Sequence, residues 1–181
     1  MELIGKRNPF EADYNVTFDS SGVLQSIELD YYIDCGSYIN DAIIVMEMAF
    51  RTCDNAYYCP TWKLTPHFIR TNTPANTSAR APGCCPAIFI METIMDNVAK
   101  ALNLSPDAVR FANLYQQGQV TPYHQTLTYC NLTSMWNSFV ASTNYQTRLA
   151  AVDAYNTANR WTKQGLTIMP VKYVIVIYLP I

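Results

Sequence analysis

The 181-residue chain is half hydrophobic and only 14% charged, with a formal net charge of −2. Soluble domains typically carry about 25% charged residues, so this chain is expected to bury much of its surface against something. Its faintly acidic balance gives no electrostatic case for nucleic acid or an anionic membrane. No apolar stretch reaches the roughly 18 residues of a membrane span, and MELIGKRNPFEADYNV lacks the long apolar core of a signal peptide. Cys35, Cys53, Cys59, Cys84, Cys85 and Cys130 form no Cys-x-x-Cys pair and have no histidine at zinc-finger spacing, so they read as free thiols of a cytoplasmic protein. The expectation is one α+β unit over residues 1–181, long enough to bury a core and without an internal boundary or repeat.

In chain order, Asp13–Phe18 and Gly22–Tyr32 alternate apolar and polar residues around Asp19-Ser20-Ser21-Gly22, the pattern of a hairpin. Asp34-Cys35-Gly36-Ser37 is expected to break its second strand. Asn40 then stands where it would cap a helix over Asp41–Cys53, which carries Ile44, Val45, Met48, Ala49 and Thr52 at helical spacing. Glu47 and Arg51 are placed to pair on its outer face. Asp54–Trp62 reads as irregular and Leu64–Thr73 as a strand. Ala87–Leu102 is an amphipathic helix with Ile88, Met91, Met95, Val98 and Leu102 on one face. Ser105-Pro106-Asp107 supplies the cap, first-position proline and early acid of a short helix to about Leu114. Gln116–Tyr129 reads as a loop, Thr133–Ser142 and Tyr145–Arg160 as helices, and Leu166–Tyr178 as one or two strands rich in β-branched residues.

Between the third strand and the long helix, TNTPANTSARAPGCCPAIFIM at Thr71–Met91 crowds prolines, a glycine, two adjacent cysteines and a lone arginine into one turn. Pro74 and Pro82 restrict φ, Gly83 permits angles closed to other residues, and the helix start that follows offers amide N–H groups to anionic oxygens. A plain strand-to-helix connector would read the same way. His67 and His124 have no triad arrangement around them, no Gly-rich phosphate loop is present, and Cys84 and Cys85 lack a partnered base. The residues by themselves therefore indicate a backbone-presenting turn and name no reaction.

Five segments resemble, in order, the molybdenum-binding portion of the xanthine dehydrogenase and aldehyde oxidase family. GKRNPFEADYNVTF resembles its GKRHP-type opening strand, and DNAYYCP its DNAY-x-x-P. TNTPANTSARAPG resembles TN-x-P-x-NTA-x-R-G, SPDAVRFANLY the helix ending in R-x-x-N-x-Y, and WTKQGLTIMPVKY the W-x-KRG-x-x-x-x-P-x-K/R segment. The resemblance implies part of the molybdopterin-binding domain of a molybdenum hydroxylase. Such enzymes oxidise aldehydes or N-heterocycles with water at a molybdenum–molybdopterin cofactor and pass electrons through iron–sulfur clusters and usually FAD; the family members form homodimers. It further implies that the backbone N–H of Arg80, with Ala79 beside it, lies against an oxygen ligand of the molybdenum. No residue of the chain matches a catalytic one.

Counting back from DNAY, Met48 occupies the position of the substrate-orienting arginine of xanthine dehydrogenases. A thioether offers adaptable apolar contact where a guanidinium would bind purine oxygens, so a less polar aldehyde or heterocycle is expected as substrate. Ile44, one turn earlier, would line the same wall; as ordinary core residues of an amphipathic helix the two would need no such role. Ala81 and Pro82 replace a glycine and a stacking phenylalanine, a pattern resembling insect-type aldehyde oxidases, and Pro82 cannot stack as a ring does. Nothing in the sequence explains Pro86 where the family often has glutamine. The family's FGGK-type loop, its downstream Gly-rich cofactor loop and its general-base glutamate have no counterpart here. The chain is thus expected to be an internal piece that is inactive alone and works with the remaining domains of a parent enzyme. A purine-oxidising parent and a non-catalytic interaction module that keeps the fold stay open as alternatives.

Overall fold

The computed structural model describes residues 5–173. Strand β1 (Phe10–Phe18) and strand β2 (Leu24–Gly36) form the expected antiparallel hairpin. The Asp19 carboxylate shapes its turn by accepting bonds from the Ser21 and Val23 amides and the Ser21 hydroxyl. β2 does not break at Asp34. It continues to Gly36 through a register irregularity, because β3 still pairs with it there, Asp34 against Ile69 and Gly36 against Arg70, after the β1 pairing has ended at Ile33. Strand β3 (Thr61–Arg70) pairs parallel to β2, giving the sheet order β1-β2-β3. A parallel neighbour requires a crossover, supplied by helix α1 (Ala42–Phe50) and the turns that follow it.

β2 is the central strand and alternates as one would expect: Leu24, Ile27, Leu29, Tyr31, Ile33 and Cys35 are buried in the core. Helix α2 (Cys84–Leu102) meets it with Ala87, Met91, Ile94, Met95 and Val98, and α1 with Ala42, Val45, Met46 and Ala49. Helices α3 (Pro106–Ala112), α4 (Leu132–Ser142) and α5 (Tyr145–Ala158) follow as read from sequence, with Pro106 at the start of α3 and Asp107 in its first turn. No helix among the described residues is long and apolar enough to cross a membrane.

Two further expectations are corrected. Asn40 does not cap α1: its backbone takes a positive φ of 42°, Asp41 holds the cap position, and the Asn40 amide instead donates to the Asn76 carbonyl. Leu166–Tyr173 is irregular rather than a strand, and the remainder of that expected element, 174–178, lies outside the described residues. A strand needs a partner edge; here one side chain meets two of the backbone groups instead. The Asn55 amide donates to the Pro170 carbonyl and accepts from the Lys172 N–H, both at 2.9 Å, imitating a strand neighbour.

Candidate functional site

The turn after β3 is fastened to the far end of β2 by main-chain and side-chain bonds. Thr71 N–H donates to the Gly36 carbonyl at 2.9 Å, Asn76 N–H to Cys35 at 3.0 Å and Thr77 N–H to Lys6 at 2.9 Å. The side chains of Asn8 and Asn76 both donate to the Asp34 carbonyl, and Thr71 donates to the Asp34 carboxylate at 2.7 Å. The backbones run so close that a Cβ on Gly36 would lie 2.2 Å from the Pro74 oxygen, and one on Gly5 only 1.7 Å from that of Ala75. Glycine at both positions is a packing requirement.

Beyond Thr77 the loop is held by α1. The Asp41 carboxylate accepts from the Ser78 N–H at 2.8 Å, the Ser78 hydroxyl at 2.5 Å and the Thr77 hydroxyl at 3.2 Å. At the other end Gly83, with φ 68°, presses on α1: a Cβ there would sit 2.0 Å from the Val45 carbonyl oxygen and 2.7 Å from the Ala49 nitrogen. Ala81 also takes a positive φ, 52°, and strain of this kind in a non-glycine residue concentrates at functional sites. Among the described residues the N–H groups of Ala79 and Arg80 find no intramolecular acceptor, while Arg80 itself is exposed. α2 starts at Cys84 without a side-chain cap. The loop therefore presents free amides from a backbone pinned at both ends.

Of the residues singled out from sequence, the loop brings Ala79, Arg80 and Pro82 together and α1 carries Ile44 and Met48 alongside. Neither α1 residue is core: Ile44 is 57% exposed and Met48 half-buried, whereas the packing face uses Val45, Met46 and Ala49. Among the described residues, then, neither belongs to the buried core cluster. Cys84 is buried and burial pushes its thiol up, against a nucleophilic role. His67 accounts for itself structurally, bonded to Asp30 at 2.9 Å and stacked on Tyr32. Glu47 and Arg51 pair on the exposed side of α1. A groove of about 860 Å³ between α4 and residues 167–171 lies at none of these positions.

What sequence reasoning missed is the reason three of the quoted motifs occur together. Buried Glu92 on α2 accepts from Asn55 at 2.8 Å, Tyr57 at 2.7 Å and Arg110 at 2.7 Å. Buried Asp54 accepts from Tyr115 at 2.8 Å and pairs with Lys172. Burial pushes the Asp54 carboxyl up, with Lys172 opposing, and raises both tyrosines well above their ordinary range. Asn113 donates to the Gly22 and Val109 carbonyls and accepts from the Leu24 N–H. Thus DNAY, R-x-x-N-x-Y and P-x-K meet as one buried polar network. The available signal was Glu92 itself, an acid four residues after Ile88 and three before Met95 on an apolar helix face.

Residues 1–114 match the family model of the molybdopterin cofactor-binding domain. The chain belongs to this family. Its curated relatives include aldehyde oxidase 1 of Bos taurus, 34% identical over 171 residues, and a xanthine dehydrogenase of Dictyostelium discoideum, 31% identical over 173 residues. These alignments cover 94% and 96% of the chain but only 13% of each relative, so it spans about an eighth of the molybdenum hydroxylases it resembles. Among solved structures, the aldehyde oxidoreductase of Desulfovibrio desulfuricans superposes with a TM-score of 0.77 at 24% identity, over 85% of this chain and 17% of that one. The fold is thus the α+β fold of part of a molybdopterin-binding domain.

Proposed function

We propose that this chain forms one wall of the cofactor and substrate site of a molybdenum hydroxylase that oxidises aldehydes or weakly polar N-heterocycles. The observation that carries the reading is the loop Ser78–Gly83, whose Ala79 and Arg80 amides have no acceptor among the described residues while both of its ends are fixed to α1. Those amides fit the anionic oxygens of a molybdenum–molybdopterin cofactor, because preorganised N–H groups stabilise negative charge without reorganising. Bound there, the cofactor would supply hydroxylation with water, and iron–sulfur clusters and FAD in the rest of the parent protein would carry the electrons away. Among the described residues no cluster of His, Cys, Asp or Glu is arranged to ligate a metal directly. The contribution proposed for this chain is backbone orientation of the cofactor through the Ala79 and Arg80 amides.

Met48 and Ile44 set the substrate class. They present a thioether and a branched hydrocarbon from the α1 surface that flanks the loop, and neither donates a hydrogen bond to a ring carbonyl. Overall identity does not decide the matter, since aldehyde oxidases and xanthine dehydrogenases match almost equally, at 34% and 31%. The test is Met48→Arg in the full-length parent enzyme. It is expected to raise kcat/KM for a purine relative to an aromatic aldehyde by about tenfold or more, the worth of one charge-assisted hydrogen bond. A parent that already prefers the purine would establish a purine dehydrogenase instead.

We also propose that the chain alone neither retains the cofactor nor turns over substrate. Produced with molybdenum cofactor available, it is expected to purify without stoichiometric molybdenum and without aldehyde oxidation; equimolar metal would overturn this.

A further inference from the structure

We infer that Asp41 is a positioning residue for the cofactor loop, acting through Ser78; the inference rests on the proposed contact of the Arg80 amide with the cofactor. Asp41 occupies the cap position of α1, where an acid ordinarily bonds the free amides of its own first turn. It makes no such bond. One carboxylate oxygen, Oδ2, instead takes the Ser78 N–H at 2.8 Å, the Ser78 hydroxyl at 2.5 Å and the Thr77 hydroxyl at 3.2 Å. The other, Oδ1, is buried and has no hydrogen-bond partner among the described residues. Burial pushes the Asp41 carboxyl up, yet the Ser78 and Thr77 donors outweigh it and hold the group below the usual carboxylate range, so it is ionised at neutral pH.

The consequence is geometric. Residues 79–82 lie between two attachments to the same helix: Ser78 on Asp41 at its start, and Gly83 on the Val45 carbonyl and Ala49 amide a turn or two later. α1 also carries Ile44 and Met48. A single rigid element therefore fixes the free amides of Ala79 and Arg80 relative to the proposed substrate wall, and Asp41 supplies the accepting oxygen of that attachment. Misplacement of such a group by about 1 Å is enough to disturb a site without unfolding it.

The experiment uses the full-length holoenzyme and reads molybdenum retained after exhaustive gel filtration, the Mo(V) electron paramagnetic resonance spectrum and the melting temperature. Asp41→Ala is expected to lower retained molybdenum at least threefold or to shift the Mo(V) spectrum, with no large change in melting temperature. Asp41→Asn, whose Oδ1 can replace the accepting oxygen, is expected to restore both readouts. An Asp41→Ala enzyme with wild-type retention and spectrum overturns the inference, and so does an Asp41→Asn enzyme as impaired as the alanine variant. Should Asp41→Ala fail to fold, the double variant Thr77→Val with Ser78→Ala decides, since it removes two of the three donors to the Asp41 carboxylate without touching α1; an unchanged spectrum then overturns the inference. Arg80→Pro, which deletes the amide hydrogen, separates the two claims. If it perturbs the spectrum while Asp41→Ala does not, the amide contact stands and the positioning role falls; if it perturbs nothing, the amide contact itself falls.

Discussion

Arg110 is 1% exposed and meets three carboxylates: Glu92 at 2.7 Å, Asp96 at 2.6 Å and Asp107 at 3.7 Å. Glu92 is its buried partner, and removing the guanidinium would leave that carboxylate charged in the interior. Arg110→Met should therefore destabilise by roughly 3–5 kcal/mol in chemical denaturation, the cost of an orphaned buried charge. Asp96→Asn, at a half-exposed carboxylate, should cost under about 1 kcal/mol. Two other acids give opposite pH signatures. The carboxyl of Asp41 lies below its unfolded value, so its contribution is complete above about pH 4 and is lost as pH falls through the folded value. Asp54 lies above its unfolded value because of burial, so the stability linked to its protonation is present below about pH 4 and disappears as pH rises through the folded value. Comparing acid-unfolding profiles of Asp41→Asn and Asp54→Asn with wild type checks both signs.

At the scale of elements, the α1–α2 junction depends on the missing side chain of Gly83. Its φ of 68° and the 2.0 Å that would separate an added Cβ from the Val45 oxygen act together. Gly83→Ala is expected to destabilise by at least about 1–3 kcal/mol from the backbone conformation alone, with the helix contact adding to it. Thermal melts would show this, and a shift under about 1 °C would contradict it. The same junction explains why α1 reads ambiguously in sequence. Its spacing admits Ile44 and Met48 on an inward face as readily as Val45 and Ala49, because a nine-residue helix with apolar residues nearly all round has no marked polar side. Tertiary packing decides between them: the core and the close seat of Gly83 on the Val45–Ala49 backbone take Val45 and Ala49 inward and leave Ile44 at the surface.

Across the whole molecule, the low charge is matched by what remains uncovered. Ile43, Ile44, Phe89, Met135, Phe139 and Trp161 are each more than half exposed, and the neighbouring pair Ile43 and Ile44 is the kind of apolar surface that further domains of a longer protein would cover. The chain's span of about 13% of its relatives agrees with that need. Produced by itself, the 181-residue chain should bind a hydrophobic dye and self-associate in light scattering, and replacing Ile43 and Ile44 by lysine should reduce both. A monodisperse, dye-silent chain would show that these faces need no cover.

The sequence by itself determined the hairpin, the amphipathic α2, the proline-led α3 and the rigid loop before α2, because each is written in local pattern: alternation, helical spacing, Pro-Asp after Ser, and glycine beside proline. Through ordered motifs it also identified the family. Tertiary structure alone decided that Asn55 takes the place of a strand neighbour for residues 170–172, and that DNAY, R-x-x-N-x-Y and Lys172 are one buried network around Glu92 and Asp54. It likewise decided that Asp41 turns from its own helix to Ser78. These partners lie between 35 and 118 residues apart in the chain, apart from Glu92 and Arg110 at 18. A hydrogen bond across such a distance leaves no periodic trace, since neither residue's neighbours need differ for it to form.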